Sequence, residues 1–195
     1  VFGYSLHGNK KSELRQRIIN SFDCFSDVQQ MSEREVALKA RHDHIDIAID
    51  LTGHMQNAHS LIFANRAAPI QINYLGFPGS MGADFIDYII ADRNLIPNDF
   101  QKFYSEKPIY LPYHYQAQND ELEIACKTPK RSRLGLPEKG FVFCAINNTY
   151  KITPREFDIW MRLLRIVKGS LLWLLESNKW AKENLIKEAA ARGVG

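Results

Sequence analysis

Cysteine is scarce. Cys24, Cys126 and Cys144 are the only three in 195 residues. They are odd in number, far apart and without a CxxC pair, which argues against a disulfide framework and a thiolate metal knuckle. Reduced thiols in a cytoplasmic protein are the expected reading. No apolar run reaches membrane-spanning length and no signal peptide is recognisable, so no membrane partner is expected. One-sided charge is also missing. With 25 Lys and Arg against 22 Asp and Glu, the net charge is +3, and no long basic run accompanies it, so nucleic acid is not an expected partner. His42 and His44 lack Cys or carboxylate neighbours at ligand spacing, so no metal is expected. There is no internal repeat and no low-complexity tract.

What is present is ordinary for a soluble globular protein: 45% hydrophobic and 24% charged residues. The length suits one large domain or two small ones. Val1 falls directly inside a strand-like VFGYSL, and Gly193-Val194-Gly195 follows the last helical pattern, so the chain reads as a fragment of a longer protein.

Along the chain, strands and helices alternate. Phe2, Tyr4 and Leu6 alternate as a strand, and a helix over 10–22 places Leu14, Ile18 and Phe22 on one face. A short strand over 24–28 precedes Ser32 and Glu35, whose spacing is that of a capping box opening a helix to about Arg41. Ile45, Ile47, Ile49 and Leu51 alternate as a strand that ends at Asp50-Leu51-Thr52-Gly53-His54. A helix over 58–66 must stop before Pro69. Strands over 70–75, 85–91 and 108–111 follow, with a short helix over 98–104. This rhythm predicts a mostly parallel sheet with helices on both faces. Residues 113–140 are polar and aperiodic, an interdomain connection.

The stretch FVFCAINNTYKITPREFDIW is the most informative. Its first six residues are an unbroken apolar run, as in a strand covered on both faces. Thr153 is a good N-cap, Pro154 suits the first helical position, and Glu156 has the spacing to complete a capping box. Phe157, Trp160, Leu164 and Val167 recur at helical spacing, and Trp160 and Trp173 read as core. Between strand and helix, Asn147, Asn148, Thr149, Tyr150 and Lys151 sit at the strand's carboxyl end, where open α/β sheets bind ligands. A strand over 171–175 and a helix over 178–192 with Gly193 at C′ complete the pattern.

The block IDIAIDLTGHMQNAHSLIFANRAAPIQINYLGFPGSMGADFIDYIIAD, then YSEKPIYLP, then FVFCAINNTYKITP resembles the catalytic region of the O-linked N-acetylglucosamine transferases. It is more similar still to their bacterial relatives in glycosyltransferase family 41. The resemblance spans about residues 45–192, with 1–44 a weaker fit. It implies a GT-B-like α/β fold of two Rossmann-like domains, both incomplete here. Residues 1–113 would be the latter part of the N-terminal catalytic domain, 114–130 the connection, and 131–195 the first βαβα portion of the nucleotide-sugar-binding domain. It also implies a UDP-N-acetylglucosamine donor, Ser or Thr hydroxyls of a protein as acceptor, no metal, no cofactor, and tetratricopeptide repeats elsewhere in the parent. The 195-residue piece alone is expected to be inactive.

Position by position, Lys151 matches the family lysine on the donor's phosphates, stabilising the leaving diphosphate. Asn148 falls where animal enzymes carry a nucleotide-contacting glutamine. Gly76, Phe77, Pro78 and Gly79 match a loop lining the cleft near sugar and acceptor. The family's proposed catalytic histidine precedes these blocks, so its role passes to none of His7, His42, His44 or His54. His54 lies beyond a strand's carboxyl end, where a titratable group can reach a cleft, but a loop histidine hydrogen-bonded to its surroundings is the preferred reading. Asp50 reads as an anchor for that loop. On local pattern alone Lys151 is a solvated loop residue and the GFPG loop a tight turn. Donors such as GDP-fucose or UDP-glucose, an Asn acceptor, and a non-catalytic module binding a sugar nucleotide or protein stay open as alternatives.

Overall fold

The computed structural model describes residues 1–8, 12–119 and 121–195. The expected start of the first helix at Lys10 lies outside them. The chain divides into two compact units, Val1–Glu121 and Leu122–Gly195.

In the first unit the order is β1 (Phe2–Ser5), α1 (Glu13–Asn20), β2 (Cys24–Asp27), α2 (Glu33–His42), β3 (Ile47–Asp50), α3 (Ser60–Ala64), β4 (Ile70–Asn73), β5 (Tyr88–Ala91), a 3₁₀ helix (Asn98–Phe103) and β6 (Lys107–Tyr110). β1 pairs with β2, and a second sheet runs β3-β4-β5-β6. Every pairing among the described residues is parallel, as the alternation of strands and helices requires. α2 opens with the full capping box: the Ser32 hydroxyl accepts from the Glu35 N–H, and the Glu35 carboxylate accepts from the Ser32 N–H at 2.7 Å. Its Val36, Ala37 and Ala40 pack with Val28, Ile62, Phe63 and Met81 in the main core, against Ile45 and Ala48 at β3.

Three expectations are corrected here. Ile47 and Ile49 are 50% and 46% exposed, while the next residues along β3 face the core, so helices cover one face of this strand and not both. Leu14 and Ile18 are exposed and α1 buries no residue, so its apolar face is not a core face. β5 begins at Tyr88, three residues after Phe85. The Phe85 carbonyl is taken by Arg66 Nη1 at 3.0 Å and Gln71 Nε2 at 2.6 Å, and those side chains stand where a sheet ladder would have to form.

The second unit contains a 3₁₀ helix (Arg131–Leu134), β7 (Val142–Ala145), a 3₁₀ turn (Thr149–Lys151), α4 (Pro154–Ile166), β8 (Leu171–Leu174) and α5 (Lys179–Ala191), with β7 and β8 parallel. Phe157 and Met161 are its buried hydrophobic residues. The 141–146 run is therefore not covered on both faces: Phe141 is 57% and Ile146 65% exposed. Trp173 is exposed and not core, and Trp160 is half-buried with its ring set edge-on to Phe157. The other correction concerns α4. Thr153 is its N-cap but makes no side-chain cap bond, so the box with Glu156 does not form. Pro154, lacking an N–H and fixed in φ, starts the helix by itself. α5 ends as expected. Gly193 is left-handed (φ 74°), its N–H bonds Ala190 O, and Val194 N–H bonds Ala189 O, a Schellman pair. Among the described residues no helix is long and apolar enough to cross a membrane.

Candidate functional site

Two loops at strand carboxyl ends carry the residues singled out from the sequence. The first follows β4. Gly76 comes so close to the preceding loop that a Cβ there would lie 2.2 Å from Leu51 O. That preceding loop is itself pinned, since buried Asp50 accepts from Thr52 N–H at 2.9 Å and Gly53 N–H at 3.1 Å. Asp50 is thus the loop anchor its position suggested. His54 follows, with Nε2 3.0 Å from Met81 O and its ring edge-on to Phe77 at 5.4 Å between centroids. The structure brings Gly76, Phe77, Pro78, Gly79 and His54 together, with His54 bonded to its surroundings.

Side chains from the end of β4 and from the distant 104–106 segment hold the rest of this loop. Fully buried Asn73 donates through Nδ2 to Phe77 O at 3.0 Å and Gly79 O at 3.3 Å. The Tyr104 hydroxyl donates to Pro78 O at 3.1 Å. Burial pushes the Tyr104 phenol up, helped by the negative charge of Glu106, so it stays a donor at neutral pH. Glu106, 3% exposed, accepts from Met81 N–H at 2.7 Å and from the Ser80 hydroxyl at 2.8 Å. Sequence reasoning missed Asn73, Tyr104 and Glu106. The available signals were a polar Asn closing the apolar strand IQIN and a Glu beside Ser105 that proves to be buried.

The second loop follows β7 and lies in the other unit. Asn148 is exposed, and its carbonyl accepts the Lys151 N–H at 3.0 Å to close the 3₁₀ turn. Lys151 ends that turn, exposed, and no carboxylate among the described residues pairs with its ammonium group. The loop is tied to the one after β8 by a 2.7 Å bond between the Thr149 and Ser177 hydroxyls. This loop therefore presents an unpaired cation, two side-chain amides and hydroxyls to solvent. Such a set can meet a phosphate: the ammonium supplies charge, the amides supply directional donors. The wider field agrees. Residues 122–195 hold 14 Lys and Arg against 7 Asp and Glu, whereas 1–121 hold 11 against 15. Among the described residues no group of His, Cys, Asp and Glu is arranged to hold a metal ion.

Comparison with known proteins supplies the family. A probable UDP-N-acetylglucosamine-peptide N-acetylglucosaminyltransferase, SEC, of Arabidopsis thaliana is 39% identical over 199 residues, covering 100% of this chain and 20% of the relative. A probable enzyme of the same description, SPINDLY, also of Arabidopsis thaliana, is 32% identical over 166 residues, covering 84% of this chain and 18% of its own length. The chain therefore spans about a fifth of the length of the curated relatives it matches. Among solved structures, a mutant Thermobaculum terrenum O-GlcNAc transferase superposes with a TM-score of 0.86 at 24% identity, over 100% of this chain and 36% of that one. That likeness establishes the fold, a parallel α/β arrangement of the GT-B-like kind. The family model of Glycosyl transferase family 41 matches residues 1–125 and 114–195, from one end of the chain to the other, and the chain belongs to that family.

Proposed function

We propose that the whole protein is a metal-independent, cytoplasmic protein O-glycosyltransferase. It moves N-acetylglucosamine from UDP-N-acetylglucosamine to Ser or Thr hydroxyls of a protein acceptor. In the reaction the acceptor oxygen forms a bond to the anomeric carbon and the bond to the diphosphate oxygen breaks. The acceptor's proton passes to a base, and the nucleoside diphosphate departs with an added negative charge. Lys151 meets that charge, Asn148 contacts the nucleotide, and Gly76, Phe77, Pro78 and Gly79 form an apolar wall where sugar and acceptor approach. His54 stands at the edge of that wall.

The observation that carries this reading is the position of Lys151. It stands where the resemblance puts the family's phosphate-contacting lysine, at the carboxyl end of a parallel strand, exposed and, among the described residues, without a carboxylate partner. A side-chain cation takes the role a metal would otherwise have in stabilising the leaving group. The test is nucleoside diphosphate release by the full-length protein with UDP-N-acetylglucosamine, UDP-glucose or GDP-fucose, supplied with acceptor peptides. Release with the first donor, reduced about 10²–10³-fold in Lys151→Ala at unchanged fold, is the expected result. Near-normal release by that variant would remove Lys151 from the mechanism, and release only with another donor would reassign the sugar. A folded protein silent with all three donors would be a binding module.

A further inference from the structure

α4 carries a second cationic feature, separate from the Lys151 loop. A groove of about 670 Å³ is lined by Arg155, Ile159, Arg162, Arg165, Arg192 and one carboxylate, Asp158, with buried Met161 among its walls. Arg155, Ile159, Arg162 and Ile166 follow one another at i, i+4, i+7 and i+11, a single row along one helix face. Ile159 is 40% and Ile166 74% exposed, so the row alternates cation and exposed aliphatic. The four arginines do not share one environment. Arg192 is fixed: it pairs with Asp158 and Glu188 at 2.5 Å each, and its guanidinium lies 5.5 Å from the centre of the Phe157 ring. Among the described residues, Arg155, Arg162 and Arg165 have no carboxylate or side-chain hydrogen-bond partner.

Elsewhere in the unit Lys179 and Lys182 each find a glutamate, whereas these three arginines stand close together along one helix with no carboxylate between them and solvent. The unit as a whole carries twice as many cations as anions. Its excess is not confined to the Lys151 loop, since α4 descends from that loop and places Arg162 and Arg165 two and three turns further on. At ~1.5 Å of rise per residue, the arginines span roughly 15 Å of helix. A single phosphate bridges Arg162 and Arg165 at best, so the row suits a longer anion with charges spread along it.

We propose that this face of α4 is a docking groove for an acidic, aliphatic-containing protein segment, distinct from the donor site. Carboxylates of the segment take the planar forks of Arg155, Arg162 and Arg165, which Lys would not reproduce. Its aliphatic side chains lie over Ile159 and Ile166. Arginine with exposed aliphatic side chains is the composition of a protein interface. A nucleic acid is the poorer fit, because the row offers no exposed aromatic ring for base stacking and residues 1–121 carry an excess of anions.

The probe is a fluorescent peptide of repeated Glu-Glu-Ile triplets, titrated with the full chain at low and high salt. Binding that weakens with salt is expected, with Kd raised about tenfold in Arg162→Glu/Arg165→Glu. Lys127→Glu/Lys130→Glu, which changes the net charge equally away from α4, is expected to leave Kd within about twofold. Arg162→Lys/Arg165→Lys keeps the charge and removes the forks, and is expected to lose several-fold. Circular dichroism verifies that each variant is folded. Absence of peptide binding, or equal losses in the two Glu variants, overturns the proposal. So does a mixed-sequence single-stranded DNA of equal charge that binds more tightly than the peptide, which would point to a nucleic-acid partner.

Discussion

The 76–81 loop and the 147–151 loop both leave the carboxyl end of a parallel strand, yet they are held by opposite means. Asn73, Tyr104 and Glu106 bind the backbone of the first at Phe77, Gly79, Pro78 and Met81, and Leu51 leaves no room for a side chain at Gly76. The second is held by one 3₁₀ turn and one hydroxyl pair, with its lysine and asparagines exposed. The first is a preformed wall. The second leaves its polar groups to solvent, and any ligand it bound would have to restrict its conformational freedom. On the function proposed above, the first would serve as a rigid surface that aligns reactants and the second as an adaptable cation for the charge of the leaving group.

The largest expected effect breaks the rigid side of this contrast. In Gly76→Ala the new Cβ must displace the Leu51 carbonyl and the Thr52 Cα, at 2.2 and 2.8 Å. Both are backbone, so no side chain can swing away. A loss of about 3 kcal/mol is expected in denaturant unfolding of the chain, with faster amide exchange at Thr52 and Gly53. A variant as stable as the parent would show that the two loops separate freely, and the rigid wall would be lost as an idea.

A smaller effect sharpens the contrast through pH. The Tyr4 hydroxyl donates to Asp43 at 2.6 Å, and Lys39 holds the same carboxylate at 2.7 Å. The bond from Lys39 and then that from Tyr4 lower the Asp43 carboxyl from 3.8 to about 2. Burial, then Asp43, push the Tyr4 phenol well above its ordinary 10.0. The signs differ. A depressed carboxyl contributes stability above pH 3.8 that is lost as pH falls towards 2. A raised phenol contributes stability below pH 10.0 that is lost on the alkaline side. Unfolding midpoints against pH should therefore fall at both ends, with Asp43→Asn flattening the acid limb and Tyr4→Phe the alkaline one. An acid limb unchanged in Asp43→Asn would remove this cluster as its cause.

Much of this was legible in the chain. The alternation of Ile45, Ile47 and Ile49 announced β3, the Ser32 and Glu35 spacing announced the start of α2, and Gly193 announced the end of α5. These signals are local, acting within one strand or one helical turn. What escaped was set by distant partners. Glu106 and Met81 are 25 residues apart, and Asp87 N–H bonds Gln71 O across 16. Such pairings have no period to read. Burial misled in the second unit for a related reason: an apolar run such as 141–146 records what the strand can bury, whereas coverage depends on how many elements pack on it. Of the candidate site, the loops and their residue types were visible, and the clamps that hold the first loop were not.

The smallest expected effect probes the adaptable side. Thr149→Val removes the hydroxyl that meets Ser177 while keeping the branched shape. That bond is exposed, so water replaces it, and the change in unfolding free energy should stay within about 0.5 kcal/mol. The consequence belongs to binding. Without the tie between the loops after β7 and β8, the 149–151 turn samples more conformations before Lys151 meets an anion. Nucleoside diphosphate affinity of the full-length protein should weaken by several-fold at nearly unchanged stability. If stability falls by as much as in Gly76→Ala, the second loop is as rigidly built as the first, and the division between wall and adaptable cation fails. If neither stability nor affinity moves, the hydroxyl pair is incidental, and the turn that ends at Lys151 alone sets the loop.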